Sequence, residues 1–463
     1  MRLLHTSDWH LGQTLHNFER TYEHQCFLDW LLDTIVAEQA DALLIAGDIF
    51  DNANPSAASQ KQLYRFLQQA RERAPRLDLI VIAGNHDSPG RLEAPGPLLE
   101  AHGTRVVGHI LRDAQGAIDL ERLVLPLTDA SGAVAAWCIA IPFLRPGDVP
   151  RVEPRVGLNE GGNGVVDQVA DPGSGSGSVS DPVPDPLSDP ASDPLSDPVS
   201  DPTFDPVSDP YLAGISRLYS QALALALARR QPGQALLAMG HCHMAGGAMS
   251  NDSERRIVIG GTEMLPAGMF DPLIAYAALG HLHLAQTVGQ QQHIRYCGSP
   301  IPLSFAEVGY RHQILRIDLD GAAVREIVAL PVPRAVDLLR VPKKPAPLEQ
   351  VLAELGALGA LDLAAPLPAA AWPFLEVRVL LDAPEPGLRS RIEAALEGKS
   401  VRLAKIETSS PAREQADAVA LTLDQLAQLQ PDDVFRRLYL QKFGSEAPPD
   451  QLLAFAELML PGA

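Results

Sequence analysis

Five short motifs in this 463-residue chain place aspartate, histidine and asparagine directly behind apolar runs. Asp8-Trp9-His10 follows Met1–His5, Gly47-Asp48-Ile49-Phe50-Asp51 follows Ala42–Ala46, and Gly84-Asn85-His86-Asp87 follows Leu77–Ala83. Further on, Gly240-His241-Cys242-His243 follows Ala235–Met239, and Gly280-His281-Leu282-His283 follows Ala275–Leu279. Carboxylates and imidazoles with a single amide suit borderline divalent metals such as manganese, iron or zinc. The four cysteines form no CxxC pair, which argues against a structural zinc site or a disulfide framework. The candidate ligands are Asp8, His10, Asp48, Asn85, His241, His281 and His283. These are too many for one open catalytic site, and a carboxylate such as Asp48 can bridge two ions. Two ions roughly 3.5–4 Å apart clamp the attacking and leaving oxygens of a phosphoryl centre and lower the pKa of a bound water. His86, beside Asn85, is placed to stabilise transition-state charge or to protonate the leaving oxygen.

Taken singly, these motifs mean little. A lone Asp-x-His is ordinarily a surface turn, and a lone His-x-His a solvated strand edge. Five in order, each at an expected strand end, are a different matter. His5 and His16 read as packing or hydrogen-bonding residues, and Asp51 and Asp87 as groups that orient a ligand or cap a turn. Either His241 or His243 can serve as the ligand of its motif, and His241 is favoured. Gly47, Gly84, Gly240 and Gly280 each precede a candidate ligand, where the chain must turn sharply and approach the metals closely.

The elements that must position these residues alternate strand and helix. Helical spacing covers Glu19–Glu38, Ser59–Ala70 and Tyr211–Arg230; Val134–Ile141 and Arg256–Ile259 are further apolar runs, and Glu307–Leu330 reads as a closing hairpin. This is an α/β layer pattern, in which chemistry gathers at the carboxyl ends of the strands. A catalytic domain over residues 1–335 is interrupted at about 159–210 by a glycine-rich stretch and eight Asp-Pro pairs spaced every four residues. Proline at that spacing forbids helix and ladder, so an extended insertion is expected. The net charge is −20, and −12 without those eight carboxylates. That balance weakens a nucleic-acid reading without excluding it, because bound metal supplies positive charge locally. Residues 336–410 read as a small α+β domain, and 411–463 as two amphipathic tail helices over Leu421–Leu440 and Pro449–Leu460. No apolar run is long enough for a membrane span, and the N-terminus lacks a signal-peptide pattern, so a cytoplasmic protein without membrane contact is expected.

The five motifs resemble those of the calcineurin-like metallophosphoesterase family, whose β-sandwich flanked by helices holds a two-metal centre. The likeness narrows to its SbcD-type nucleases at His5-Thr6-Ser7-Asp8-Trp9-His10-Leu11-Gly12-Gln13, at Phe27-Leu28-Asp29-Trp30-Leu31-Leu32, at Ile141-Pro142-Phe143-Leu144-Arg145-Pro146 and at Arg295–Phe305. It is close over residues 1–150 and 211–335 and thinner over 336–463. The resemblance implies a four-layer α/β sandwich with a small α+β capping domain and C-terminal helices. It implies one manganese ion on Asp8, His10, Asp48 and His283, a second on Asp48, Asn85, His241 and His281, and His86 as the catalytic histidine. It also implies a homodimeric nuclease component acting on DNA in repair, recombination and replication. Such nucleases are 3′→5′ exonucleases on double strands and endonucleases on single strands and hairpins. ATP hydrolysis would come from a separate SbcC-type coiled-coil ATPase, which fits the lack of a GxxxxGK[ST] loop here. In the capping domain, Arg378, Arg389, Arg391, Lys399, Arg402 and Lys405 are candidates for phosphate contacts, and the tail helices for the ATPase interface. The alternative is a phosphodiesterase for nucleotides or small phosphoesters, which has no need of the C-terminal third.

Overall fold

The computed structural model describes residues 1–101, 103–150, 210–248, 264–359, 367–381 and 385–410, with isolated positions between 435 and 455. It divides into two compact units, Met1–Ala335 and Val336–Ala463. The first unit is built on two six-stranded sheets. In chain order the elements are β1 (Arg2–Thr6), α1 (Thr21–Ala37), β2 (Ala42–Ala46), α2 (Ala57–Arg73), β3 (Asp78–Ile82), β4 (Thr104–Val107), β5 (Val124–Thr128) and β6 (Val134–Ala140). After these come α3 (Pro210–Arg229), β7 (Ala235–His241), β8 (Tyr276–Gly280), β9 (Gln286–Val288), β10 (Gln291–Tyr296), β11 (Gln313–Asp320) and β12 (Ala323–Pro331).

One sheet runs β12-β11-β1-β2-β3-β4 and the other β9-β10-β8-β7-β6-β5. Strands β1 to β4 are mutually parallel, as are β6, β7, β8 and β10, while antiparallel strands close three of the four sheet edges and parallel β4 the fourth. A parallel strand covered on both faces is apolar on both faces. In β2, Ala42, Leu44 and Ala46 join the core shared with the second sheet, whereas Leu43 and Ile45 join the core made with α1 and α2. α1 meets that face with Phe27, Leu28, Leu31, Leu32 and Ile35 at helical spacing. α2 is capped by Ser56, whose hydroxyl accepts from the Ser59 N–H, and ends on Arg71 and Arg73, favourable to the helix dipole. On the far side, α3 sets Leu218, Tyr219 and Ala222 against the second sheet. The order is therefore helix, sheet, sheet, helix.

Most of the expected elements recur within a few residues. The closing hairpin is shorter than expected, Gln313–Pro331, because Phe305–Gly309 forms a 3₁₀ turn first. Strands β4 and β10 have no apolar run to announce them; β10 reads Gln-Gln-His-Ile-Arg-Tyr. The Asp-Pro array and the Arg256–Ile259 run lie outside the described residues.

The second unit has a three-stranded parallel sheet, Leu338–Pro347, Phe374–Leu380 and Arg402–Ser409, with helices Leu348–Gly356 and Leu388–Ala395. Its own core holds Val351, Leu355, Leu375, Val377, Val379 and Ile392. The first strand is disguised by Pro342, Pro345 and Pro347, and its register shifts between Val341 and Ala346. The six basic residues considered for phosphate contacts are engaged within the unit. Arg378 pairs with Glu407 at 3.0 Å, Arg389 with Glu393 at 2.8 Å, Arg391 with Glu349 and Glu385, and Lys405 with Glu376 at 3.2 Å. Lys399 donates to the carbonyls of Gly356 and Leu358, and Arg402 lies over the Phe374 ring. Four of the six charges are thus offset by carboxylates of the same unit, which weakens the expectation of a phosphate-binding face built from them. Both expected tail helices lie mostly outside the described residues; within them, the Phe435 and Phe455 rings stack at 4.5 Å.

Candidate metal centre

The loops that follow β1 and β2 run side by side. The Asp8 N–H donates to the Gly47 carbonyl and the His10 N–H to the Asp48 carbonyl, both at 3.0 Å, and Leu11 donates to Ile49 at 2.9 Å. In this arrangement Asp8, His10 and Asp48 take left-handed backbone, with φ of 55°, 47° and 49°, and His281 has φ 106°. Such conformations are costly for residues with a Cβ and cluster where function requires them. Asp87 holds the third loop against the second: its carboxylate accepts from the N–H groups of Ile49 (3.1 Å), Phe50 (2.9 Å) and Gly84 (2.9 Å).

The glycines serve close approach more than turning. Gly47 does have φ 92°, and a Cβ there would fall 2.2 Å from His241 Nδ1. Gly84 has no such backbone requirement; a Cβ would meet Asp48 Oδ1 at 2.1 Å. The chain bends at or just after each of these glycines, but of the four only Gly47 has positive φ.

All seven candidate ligands converge. Three groups have donor atoms within 4.8 Å of one another: Asp8 with His10 and His283, His10 with Asp48 and His86, and Asp48 with His241 and His281. Asp48 is common to two of them. Asn85 joins the last, its Oδ1 lying 3.0 Å from His241 Nε2 and 3.1 Å from His281 Nδ1. His243 is in none of the three, although its ring lies 6.2 Å from that of His281.

The imidazoles are oriented by fixed partners. A carbonyl can only accept, so the 2.9 Å contact from His241 Nδ1 to Ala46 O puts the proton on Nδ1 and turns Nε2 toward Asn85 and Asp48. His283 Nδ1 contacts Glu307 Oε1 at 2.8 Å, and His10 Nδ1 faces Asp51 at 3.4 Å. Ser7 Oγ donates to Asp8 Oδ2 at 2.5 Å, and the His281 N–H donates to Asp8 Oδ1 at 2.9 Å. His86 donates its backbone N–H to Asp48 Oδ1 and its Nδ1–H to the Asp51 carbonyl at 2.7 Å. Sequence reasoning missed Ser7 and Glu307: Ser7 stands beside Asp8 but is no metal-ligand type, and Glu307 lies far along the chain from the histidine it meets. His5 is a packing residue, bonded to the Tyr276 hydroxyl and the Leu279 carbonyl.

Burial acts against charge on all these groups. It pushes the Asp8 carboxyl up, although His241 and His283 oppose it. At Asp48 burial is outweighed by His241, His10 and His86, which hold the carboxyl well below its usual range. His241 is lowered by burial but raised more by Asp48 and Asp8, to about 9. Burial and the neighbouring His241 push His281 well down. The donor set fits a divalent cation: nitrogen and oxygen ligands only, nearly all buried, one anion at the centre. His10 and His281 each bury an Nε2 that has no hydrogen-bond partner, an expensive arrangement unless something else satisfies it.

Two family models match the chain: "Calcineurin-like phosphoesterase" over residues 1–128 and "Type 5 capsule protein repressor C-terminal domain" over 334–443. Fold and site together define a metallophosphoesterase of the calcineurin-like class. Among its relatives, the SbcD component of nuclease SbcCD from Rhodobacter capsulatus is 37% identical over 439 residues, covering 94% of this chain and 93% of the relative. Its counterpart in Escherichia coli K12 is 31% identical over 445 residues, covering 96% and 94%. That of Bacillus subtilis is 31% identical over 319 residues, covering 69% and 66%. The chain belongs to the SbcD family of SbcCD nuclease components.

Proposed function

We propose that this chain is the nuclease component of an SbcCD-type complex, hydrolysing DNA phosphodiesters at a two-metal centre. The observation that carries the reading is the convergence of seven buried or half-buried ligands in clusters linked through His10 and Asp48, in a chain aligned with SbcD nucleases along nearly its full length. Asp8, His10, Asp48 and His283 would hold one ion, and Asp48, Asn85, His241 and His281 the other. Manganese suits this mixture of carboxylate, imidazole and amide. When bound, the ions would activate a water and polarise the phosphoryl oxygens. His241 takes the ligand role in preference to His243 because its Nδ1–H is committed to Ala46, leaving Nε2 for the metal.

His86 is the proposed catalytic histidine. With Nδ1–H tied to the Asp51 carbonyl, Nε2 is the ring atom left to face substrate. In the imidazolium form, Nε2–H protonates the leaving oxygen or donates to a phosphoryl oxygen as charge develops. Exonuclease action 3′→5′ on duplex ends, endonuclease action on single strands and hairpins, ATP dependence through an SbcC-type coiled-coil ATPase and a homodimer of the nuclease chain belong to the same proposal. So do a cytoplasmic setting and roles in repair, recombination and replication; among the described residues no helix is long and apolar enough to cross a membrane.

The test is cleavage of a linear duplex and a hairpin with manganese, by the chain alone and with its ATPase. Metal-dependent cleavage that chelation abolishes is the expected result. Hydrolysis of small phosphodiesters without DNA cleavage, even with the ATPase present, would replace this reading with the phosphodiesterase one.

A further inference from the structure

The stretch Arg295–Phe305 stands out in the sequence but supplies none of the seven candidate ligands. In the structure it leads directly to a buried carboxylate behind one of them. Glu307 is wholly inaccessible to solvent and lies in the 3₁₀ turn Phe305–Gly309. Its Oε1 is 2.8 Å from His283 Nδ1. Its Oε2 accepts from the Leu303 N–H at 2.7 Å and lies 3.5 Å from the Ser299 hydroxyl. Ser299 in turn donates its backbone N–H to the His283 carbonyl at 3.1 Å, and its own carbonyl accepts from His312 Nδ1 at 2.9 Å. His283 is therefore held at both its ring and its backbone by one short segment.

We propose that Glu307 is the positioning residue of the metal site that includes His283. A carboxylate accepting from Nδ1–H fixes the tautomer and turns the Nε2 lone pair toward Asp8 and His10, with which His283 shares a cluster. The negative charge also makes the imidazole a stronger donor to a cation. Holding Oε2 with the Leu303 N–H keeps the carboxylate from rotating away, so the backbone of the Pro300–Ser304 loop acts on the metal through Glu307. The Gly298 backbone has the same effect on position: it has φ 80°, and a Cβ there would fall 2.6 Å from the His283 carbonyl.

The inference rests on the two-metal reading, but its test reads metal binding and not cleavage. The purified full chain is titrated with manganese, free ion being followed by electron paramagnetic resonance, and melting curves are taken with and without metal. The wild-type chain should take up two ions. Glu307→Gln, which keeps size and removes charge, should weaken one of the two sites by about 10–100-fold and leave the other unchanged. If Glu307→Gln does not fold, Glu307→Asp decides, with a smaller loss at the same site. Because Glu307 acts through His283, Glu307→Gln added to His283→Ala should cost no further affinity. Two ions bound with wild-type affinity by Glu307→Gln, whatever its melting temperature, would overturn the proposal, as would an additive loss in the double variant. A wild-type chain that binds two ions but cleaves no DNA would sink the nuclease reading and leave Glu307 in place. Unchanged binding by the variant of an active nuclease would do the reverse.

Discussion

At the scale of single residues, the proposed function assigns holding metal and moving a proton to different side chains. Asp48 is shared between clusters, and its carboxyl is kept ionised by three surrounding histidines against the pull of burial. Asp48→Asn should therefore abolish tight binding of both ions, measurable by the same manganese titration. His86 touches the centre differently, through its backbone N–H to Asp48 and its ring to the Asp51 carbonyl. His86→Ala should retain both ions while lowering turnover by about 10²–10⁴-fold, the range for loss of a general acid. A variant that loses metal and turnover together would show His86 to be a ligand.

At the scale of elements, the site depends on three loops tied to one another by main-chain groups. Asp87 accepts three backbone N–H groups from two of those loops and is itself buried. Asp87→Ala leaves those donors buried and unpaired, and should cost about 2–4 kcal/mol of stability in chemical denaturation. Away from the centre, Asp318 on β11 accepts from Arg2 on β1 at 2.7 Å and faces Arg316 and Arg325. Burial would raise its carboxyl, but the three guanidinium groups outweigh it and hold the group below the usual range. A carboxyl depressed on folding stabilises above its unfolded pKa of about 3.9 and ceases to do so as pH falls through the folded value. Asp318→Asn should thus lower the melting temperature at pH 7, and that deficit should close as pH falls below the usual carboxylate range.

At the scale of the whole molecule, every candidate ligand lies in Met1–Ala335, while Val336–Ala463 has a separate core. A chain ending at residue 335 should keep manganese-dependent hydrolysis of a small phosphodiester such as bis(p-nitrophenyl) phosphate and lose association with the ATPase, as read by co-purification. Loss of small-diester hydrolysis in a folded 1–335 chain would mean that the second unit completes the site. Arg378, Arg389 and Lys405 of that unit are paired with its own carboxylates, which leaves them little unpaired charge to offer a phosphate.

The sequence alone determined which residues this protein offers as candidate ligands. Ligand types, their order and their place behind apolar runs were all legible, because a parallel strand buried on both faces is a plain apolar run and its carboxyl end is where a layered fold exposes side chains. His86 stood out by adjacency to Asn85. Tertiary structure decided what spacing along the chain cannot carry. It placed His241 and not His243 in the cluster, through a hydrogen bond to Ala46, 195 positions away in the chain. It made Glu307 the partner of His283, and showed that Gly84 is needed for room beside Asp48 and not for a positive φ. It also recovered β10 and the proline-rich strand Leu338–Pro347, whose pairing overrides weak local preference. Each of these depends on which distant groups meet, and only the packed chain settles that.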